Sequence, residues 1–355
     1  MFLRRRPLGR GCAHYVVTAV FLMACLAWDA SAAGHRTGLD ARNPQASLAL
    51  RAGTLSGVRL VVGTETVAVS GRHEVVVVDV TTADEVSRFE HGAERVLAPR
   101  VLSADGRILA VGMDNGDIRL LNTIDGSVLD RWRAHDGRLK HIRWDDHGTR
   151  LLTYGADDQI VVWDISSRQS VFEADVDKGM WQTMALSGDG ETVAFWHGAG
   201  MTGTAQLWHL ENEDSPLVLQ PMPGCQQISL SADGSELATA HPGSIRLWSV
   251  RDGTELHRTM AKSETPLMDF LFPSSTPSFV SVEHAESKLY VGTSRGALIE
   301  IGSETWEPTA EWRFDKKGCW AGGVVESTSA GKMAGVCFGD LAIWDVATEP
   351  VGGRP

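Results

Sequence analysis

Helical periodicity is what this 355-residue chain most lacks. Beyond residue 40, apolar residues do not recur at three- and four-residue spacing. Val, Ile, Leu and Thr alternate with polar residues instead, and 37 glycines punctuate the alternation. That pattern reads as all-β. A basic excess is also lacking. Asp and Glu total 45 against 33 Lys and Arg, a net charge of −12. A general nucleic-acid binder needs cations to displace phosphate counterions, so DNA and RNA are not expected partners. Catalytic signatures are missing too. There is no Gly-x-Ser-x-Gly elbow, no phosphate-cradling Gly loop opening a helix, and no His-Glu-x-x-His. These absences point away from an enzyme, and no cofactor or metal is expected. Cysteine is scarce, at five residues.

What is present begins with an export leader. Arg4, Arg5, Arg6 and Arg10 form a positive start, Tyr15 to Trp28 is apolar, and Ala30-Ser31-Ala32 fits a small-x-small cleavage site. Residues 1–33 therefore read as a secretory signal peptide. The apolar run falls short of the roughly 20 residues a spanning helix needs. A second reading competes: Leu22-Met23-Ala24-Cys25 resembles a bacterial lipobox, which would make Cys25 a lipidation site and a membrane anchor. Either way the chain is expected outside the cytoplasm, as a periplasmic, secreted or lipid-anchored protein. Cys225, Cys319 and Cys337 remain after the leader. Cys319 and Cys337 are symmetric about Thr328, the expected centre of a hairpin loop. In that hairpin they would face each other at disulfide distance. Two small buried hydrophobes in neighbouring strands is the alternative.

Residues 34–45 read as a polar lead-in. Four similar turns follow: Ser103-Ala104-Asp105-Gly106, Asp145-Asp146-His147-Gly148, Ser187-Gly188-Asp189-Gly190 and Ser231-Ala232-Asp233-Gly234. Their glycines are 42, 42 and 44 residues apart. After each comes a strand: Ile118 to Leu121, Ile160 to Trp163, Thr204 to Trp208 and Ser244 to Trp248. A period of ~40–45 residues ending in a Trp-bearing strand is a propeller-blade signature. Extended in both directions, it divides residues 46–347 into seven units. The last unit stops at its third strand, and a spare strand, Ala46 to Arg51, precedes the first. The expected solution is a seven-bladed β-propeller in which the spare strand completes the last blade and closes the ring, so that few strand edges stay unpaired. An eight-bladed ring is the alternative, because the sixth unit is the longest. Residues 348–355 form a Pro/Gly-rich tail.

The pairs Trp163-Asp164 and Trp344-Asp345, with the Asp-Gly turns, resemble the WD-repeat β-propeller family, in an exported, bacterial form. Trp208, Trp248, Leu121 and Val78 hold the same strand position. The Gly-His pair of the family survives only as His91 and His135. Its buried turn aspartate is matched at Asp114 and Asp157. The buried hydrogen-bond network is accordingly expected to be incomplete. Within the sixth unit, about 264–318, the segment Lys288 to Glu300 resembles quinoprotein-type blades equally well.

The resemblance implies a noncatalytic scaffold that binds another envelope or secreted protein on one face of a rigid disc. Sequence fold alone says little about function. A lactonase-like or quinoprotein-like enzyme, or a sensor of a small extracytoplasmic ligand, are the other readings. Residues expected on the binding face are Trp181 and Trp320 at inner-strand entries, and Trp196, His197 and Met201 around an enlarged loop. Arg72, His73, Asp114, Asp157 and Arg295 join them on the second-to-third strand turns. Exposed Trp and Met favour interface hot spots, and a rim polarised in charge selects a complementary partner. The cluster His135, Asp136, His141, Asp145 and His147 invites a metal reading, which topology opposes. A strand of about seven residues, roughly 23 Å, separates His135 from His147, too far for one ion.

Overall fold

The computed structural model describes residues 46–345 apart from 50–56, 62–64, 71–73, 91–98, 177–180, 200–201, 220–221, 223, 242, 261–278, 286–287, 294–296, 303–305, 314–321, 328–331 and 338–339. The expected leader, lead-in and tail lie outside these residues. Among the described residues no helix is long and apolar enough to cross a membrane.

Six antiparallel sheets are each built from four consecutive strands. The first holds Gly57–Val61, Thr66–Ser70, Glu74–Asp79 and Glu85–Glu90. The second holds Arg100–Leu102, Ile108–Gly112, Asp117–Asn122 and Val128–Arg133. The third holds Leu139–Trp144, Arg150–Gly155, Gln159–Asp164 and Gln169–Asp175. The fourth holds Trp181–Leu186, Thr192–Ala199, Thr202–His209 and Asn212–Leu219. The fifth holds Gln227–Leu230, Glu236–His241, Ser244–Ser249 and Glu255–Met260. The sixth holds Phe279–Ala285, Lys288–Thr293, Ala297–Gly302 and Pro308–Arg313.

A further sheet joins the two ends of the chain. Gly322–Ser327, Lys332–Cys337 and Asp340–Asp345 are its first three strands. Ala46–Ala49 supplies the fourth, antiparallel, with Ala46 opposite Ile343 and Ala49 opposite Asp340. Without it the backbone groups on one edge of Asp340–Asp345 would lack partners.

First strands of neighbouring sheets touch in succession, from Gly322–Ser327 to Gly57–Val61 and onward to Phe279–Ala285. The sheets thus turn around their first strands, with their fourth strands outermost: the chain is a β-propeller. One apolar cluster fills each junction from the first sheet to the sixth. Ala68, Val75 and Val77 meet Leu109, Val111 and Leu121 between the first two. Tyr154, Ile160 and Phe172 meet Met184, Phe195 and Trp208 between the third and fourth. Burial of this kind contributes roughly 1.5–3 kcal/mol per large side chain. Period-two alternation makes it possible, because each strand sends alternate residues to the sheets on either side.

The repeat alignment read from the sequence appears as hydrogen-bond register. Trp163 lies opposite Leu151, Trp208 opposite Val193, Trp248 opposite Leu237 and Trp344 opposite Met333. Leu121 and Val78 take the same place opposite Leu109 and Val67.

The symmetry proposed for Cys319 and Cys337 does not hold. Ser327 pairs with Lys332, and a register shift then brings Gly322 opposite Val336. Symmetry about Thr328 would instead place Gly322 opposite Ala334, so the register does not carry the spacing argument for facing cysteines. Cys319 itself lies outside the described residues. The other post-leader cysteine, Cys225, is a buried free thiol, and burial pushes it up to about 12. It is an inert core group at neutral pH.

Candidate functional site

The second-to-third strand turns stand at one end of the sheets, called here the top. The third sheet shows how this end is held. His135 precedes the first strand and is buried. Its Nδ1 lies 3.0 Å from Asp157 Oδ1, and its Nε2 lies 2.8 Å from Thr153 Oγ1. Trp163 Nε1 donates to the same Thr153 oxygen at 3.0 Å. Burial lowers the imidazole pKa, against the pull of the Asp157 carboxylate, so His135 is neutral at pH 7. A carboxylate only accepts, so Nδ1 carries the proton and Nε2 accepts from the Thr153 hydroxyl. The network expected to be incomplete is complete in this sheet. Gly155 makes room for it, since a Cβ there would overlap His135 and Asp157.

The fifth sheet reaches a similar arrangement by another route, which the sequence reading missed. Its register-equivalent of Gly155 is His241, buried at the end of the second strand. His241 Nε2 lies 2.9 Å from Thr239 Oγ1, and Trp248 Nε1 donates to that oxygen at 3.0 Å. The imidazole grows from the strand itself and not from the entering loop. The His-for-Gly exchange opposite Thr-Trp is the signal that could have found it. His241 is thus a core residue.

Several residues expected on the binding face are engaged elsewhere. Trp196 is only 2% exposed and belongs to the cluster between the fourth and fifth sheets. Its ring packs on Gly203, where a Cβ would overlap it. The enlarged loop beside it is not formed. The strands stay paired out to Ala199 opposite Thr202, with two residues between. Trp196 is therefore removed from the proposed ridge. His197 is half-buried, bonded to Thr204 Oγ1 at 3.0 Å and stacked on Phe195. Asp157 holds His135 and also accepts from the Asp136 backbone N–H at 2.8 Å. Its neighbour Asp158 is tied to Lys140 at 3.0 Å and to the Tyr154 hydroxyl. Asp114 is exposed on its turn. Trp181 opens its strand opposite Gly198, but its side chain lies outside the described residues. Arg72, His73, Met201, Arg295, Trp320 and Cys25 also lie outside them.

The residues once considered for a metal do not converge. His135 is buried, His147 is exposed, and Asp145 is spent on its own turn, accepting from Thr149 and Arg150. Among the described residues no group of three or more His, Cys, Asp and Glu could hold an ion. An open cleft of about 440 Å³ lies at the outer edge between the third and fourth sheets, lined by Phe172, Trp208 and Pro216 among others. None of the expected binding residues lines it.

Two inner-strand histidines give the protein an acid limb. Burial lowers His141 to about 4, helped by Arg143 and Lys140. Burial also lowers His284 to about 4. In the unfolded chain both titrate near 6.5. Between the two values the unfolded state binds more protons, so stability is full above about pH 6.5 and falls as pH drops toward 4. At pH 5 each imidazole is expected to remove about 2 kcal/mol. Thermal melts between pH 7 and 5 check this, with His141→Asn expected to flatten the slope. An unchanged slope would show that His141 titrates normally.

No protein-family model matches the chain. It is similar to two Arabidopsis thaliana proteins named Cell division cycle 20.4 and 20.5, each described as a cofactor of the APC complex. The identities are 26% and 25%, over 45% of this chain and 38% of each relative. It is also similar to Pre-mRNA-processing factor 19 of Schizosaccharomyces pombe, at 27% identity over 25% of this chain and 20% of that protein. The matches span about two fifths or less of the length of these relatives. The chain is a β-propeller with distant likeness to WD-repeat proteins.

Proposed function

We propose that this chain is a noncatalytic, exported scaffold: a seven-bladed ring, closed by its N-terminal strand, that binds another protein on its top face. The observation that carries the reading is how the buried polar side chains are used. His135, Asp157, Thr153 and Trp163 hold one sheet's top, and His241, Thr239 and Trp248 hold another. These groups lock strands together, which makes a rigid frame for turns that differ from sheet to sheet. The relatives named as cofactors of a complex support the same class of role. The N-terminal positive run, apolar run and small-residue site support export.

The test is crosslinking of the tagged full chain in its native cells, with mass spectrometry and cell fractionation. The expected result is one envelope or secreted protein in near-stoichiometric yield, lost when Trp181 and Met201 are changed to Ala. A folded chain that crosslinks to nothing, or that stays in the cytoplasmic fraction, would overturn the reading.

A further inference from the structure

Three outer strands carry arginine at one equivalent position. Arg88 lies opposite Val76, Arg131 opposite Arg119 and Arg258 opposite Arg246. A register shift falls just upstream in all three, between Val77 and Val78, Leu120 and Leu121, and Leu247 and Trp248. The residue three positions before the arginine is therefore equivalent in each sheet.

In the first sheet that residue is Glu85. It accepts from Arg88 Nε at 3.0 Å and Nη2 at 2.6 Å. In the fifth sheet it is Glu255, which accepts from Arg258 Nε at 2.6 Å and Nη2 at 2.7 Å. Glu255 also lies 3.9 Å from Arg246, the arginine across the strand pair. One carboxylate thus serves two facing guanidinium groups.

In the second sheet the equivalent residue is Val128, and it is 58% exposed. Arg119 and Arg131 face each other across the strands as the Arg246–Arg258 pair does, without the carboxylate. Directly opposed like charges on neighbouring strands are destabilising. Among the described residues no acid contacts either side chain. Asp130 is engaged by Arg168 of the next sheet, and Arg133 pairs with the exposed Asp136. Leu129 and Ile124 beside them are also strongly exposed. This strand is the outermost of its sheet, so one side of its backbone is open to pairing.

We propose that the outer strand Val128–Arg133 is a docking edge for an extended acidic segment of a partner protein. A carboxylate of that segment takes the position Glu85 and Glu255 occupy in the equivalent strands. Charge complementarity selects the occupant: two guanidinium groups without an acid, on a chain that is otherwise strongly acidic, take carboxylates. Apolar residues alternating with the acids would cover Val128 and Leu129, and the backbone would add as a further strand. The proposal rests on the scaffold reading only in requiring a protein partner. It uses the rim of the disc and not its top.

The test titrates the full chain, at low salt, with a fluorescein-labelled decapeptide of alternating Glu and Val. The same peptide with Lys in place of Glu is the control. Saturable binding of the acidic peptide alone is expected, weakening as salt rises. Val128→Glu supplies the internal carboxylate and is expected to weaken binding about tenfold or more, with melting unchanged or raised. Arg131→Gln is expected to weaken it similarly. Equal binding of both peptides, an unaltered affinity in Val128→Glu, or no binding by the folded chain would overturn the proposal. Those failures leave the Trp181-dependent crosslinks untouched. Loss of the crosslinks with peptide binding intact would sink the top-face reading alone.

Discussion

Thr153→Val is expected to lower the stability of the propeller by about 2–4 kcal/mol. Valine keeps the shape of threonine and deletes one hydroxyl. That hydroxyl accepts from Trp163 Nε1 at 3.0 Å and faces His135 Nε2 at 2.8 Å. Thr153 and His135 are buried, so the two ring nitrogens would lose a partner where water cannot easily replace it. Each buried polar group left unmade costs roughly 1–3 kcal/mol, more than the hydrogen bond contributes when present. The thermal midpoint is expected to fall by roughly 4–8 °C. Thr153→Ser restores the oxygen and is expected to recover most of the loss. A Val variant that melts with the parent would show that the network contributes no stability and that apolar packing alone holds this sheet.

Trp196→Ala is expected to be more damaging still, at about 3–5 kcal/mol. The ring is almost wholly buried and packs against Gly203 in the cluster between the fourth and fifth sheets. Truncation leaves a cavity that neighbouring β-strands cannot collapse to fill. Among the described residues its indole Nε1 has no hydrogen-bond partner, so Trp196→Phe removes that donor while keeping most of the ring. Phe is therefore expected to cost much less than Ala. Were Trp196 a contact on a binding ridge, both variants would melt like the parent and Ala would lose only partner affinity. Comparing melting of Trp196→Ala and Trp181→Ala separates a core tryptophan from a candidate contact.

The repeat was legible because it is local. Each Asp-Gly turn and each Trp-bearing strand is a short-range signal, and successive sheets differ little in length. The placement of Trp163, Trp208, Trp248 and Trp344 opposite equivalent apolar residues follows from that regularity. Exposure of individual side chains was less legible. Trp196-His197 followed by glycines reads as the start of a loop. Pairing out to Ala199 opposite Thr202 makes it a continuous hairpin that sends Trp196 into the core. Hairpin register suffers the same uncertainty: Ser327 pairs with Lys332, not with the Ser329 that symmetry about Thr328 gives, and a one-residue slip sends every side chain to the other face.

By itself, then, the sequence determined the all-β class, the repeat period, the acidic character and the use of the N-terminal strand to finish the sheet begun by the last three. These follow from alternation, turn chemistry and the count of strands. Only the tertiary structure decided which imidazole meets Thr239, which tryptophan is core, and which arginine lacks the glutamate its equivalents have. His241 and Thr239 are near in sequence, but their bond to Trp248 depends on strand register. Arg131 and Arg119 stand twelve residues apart and meet only because their strands pair. Such contacts are set by register and by the packing of one sheet on the next, which no local pattern encodes.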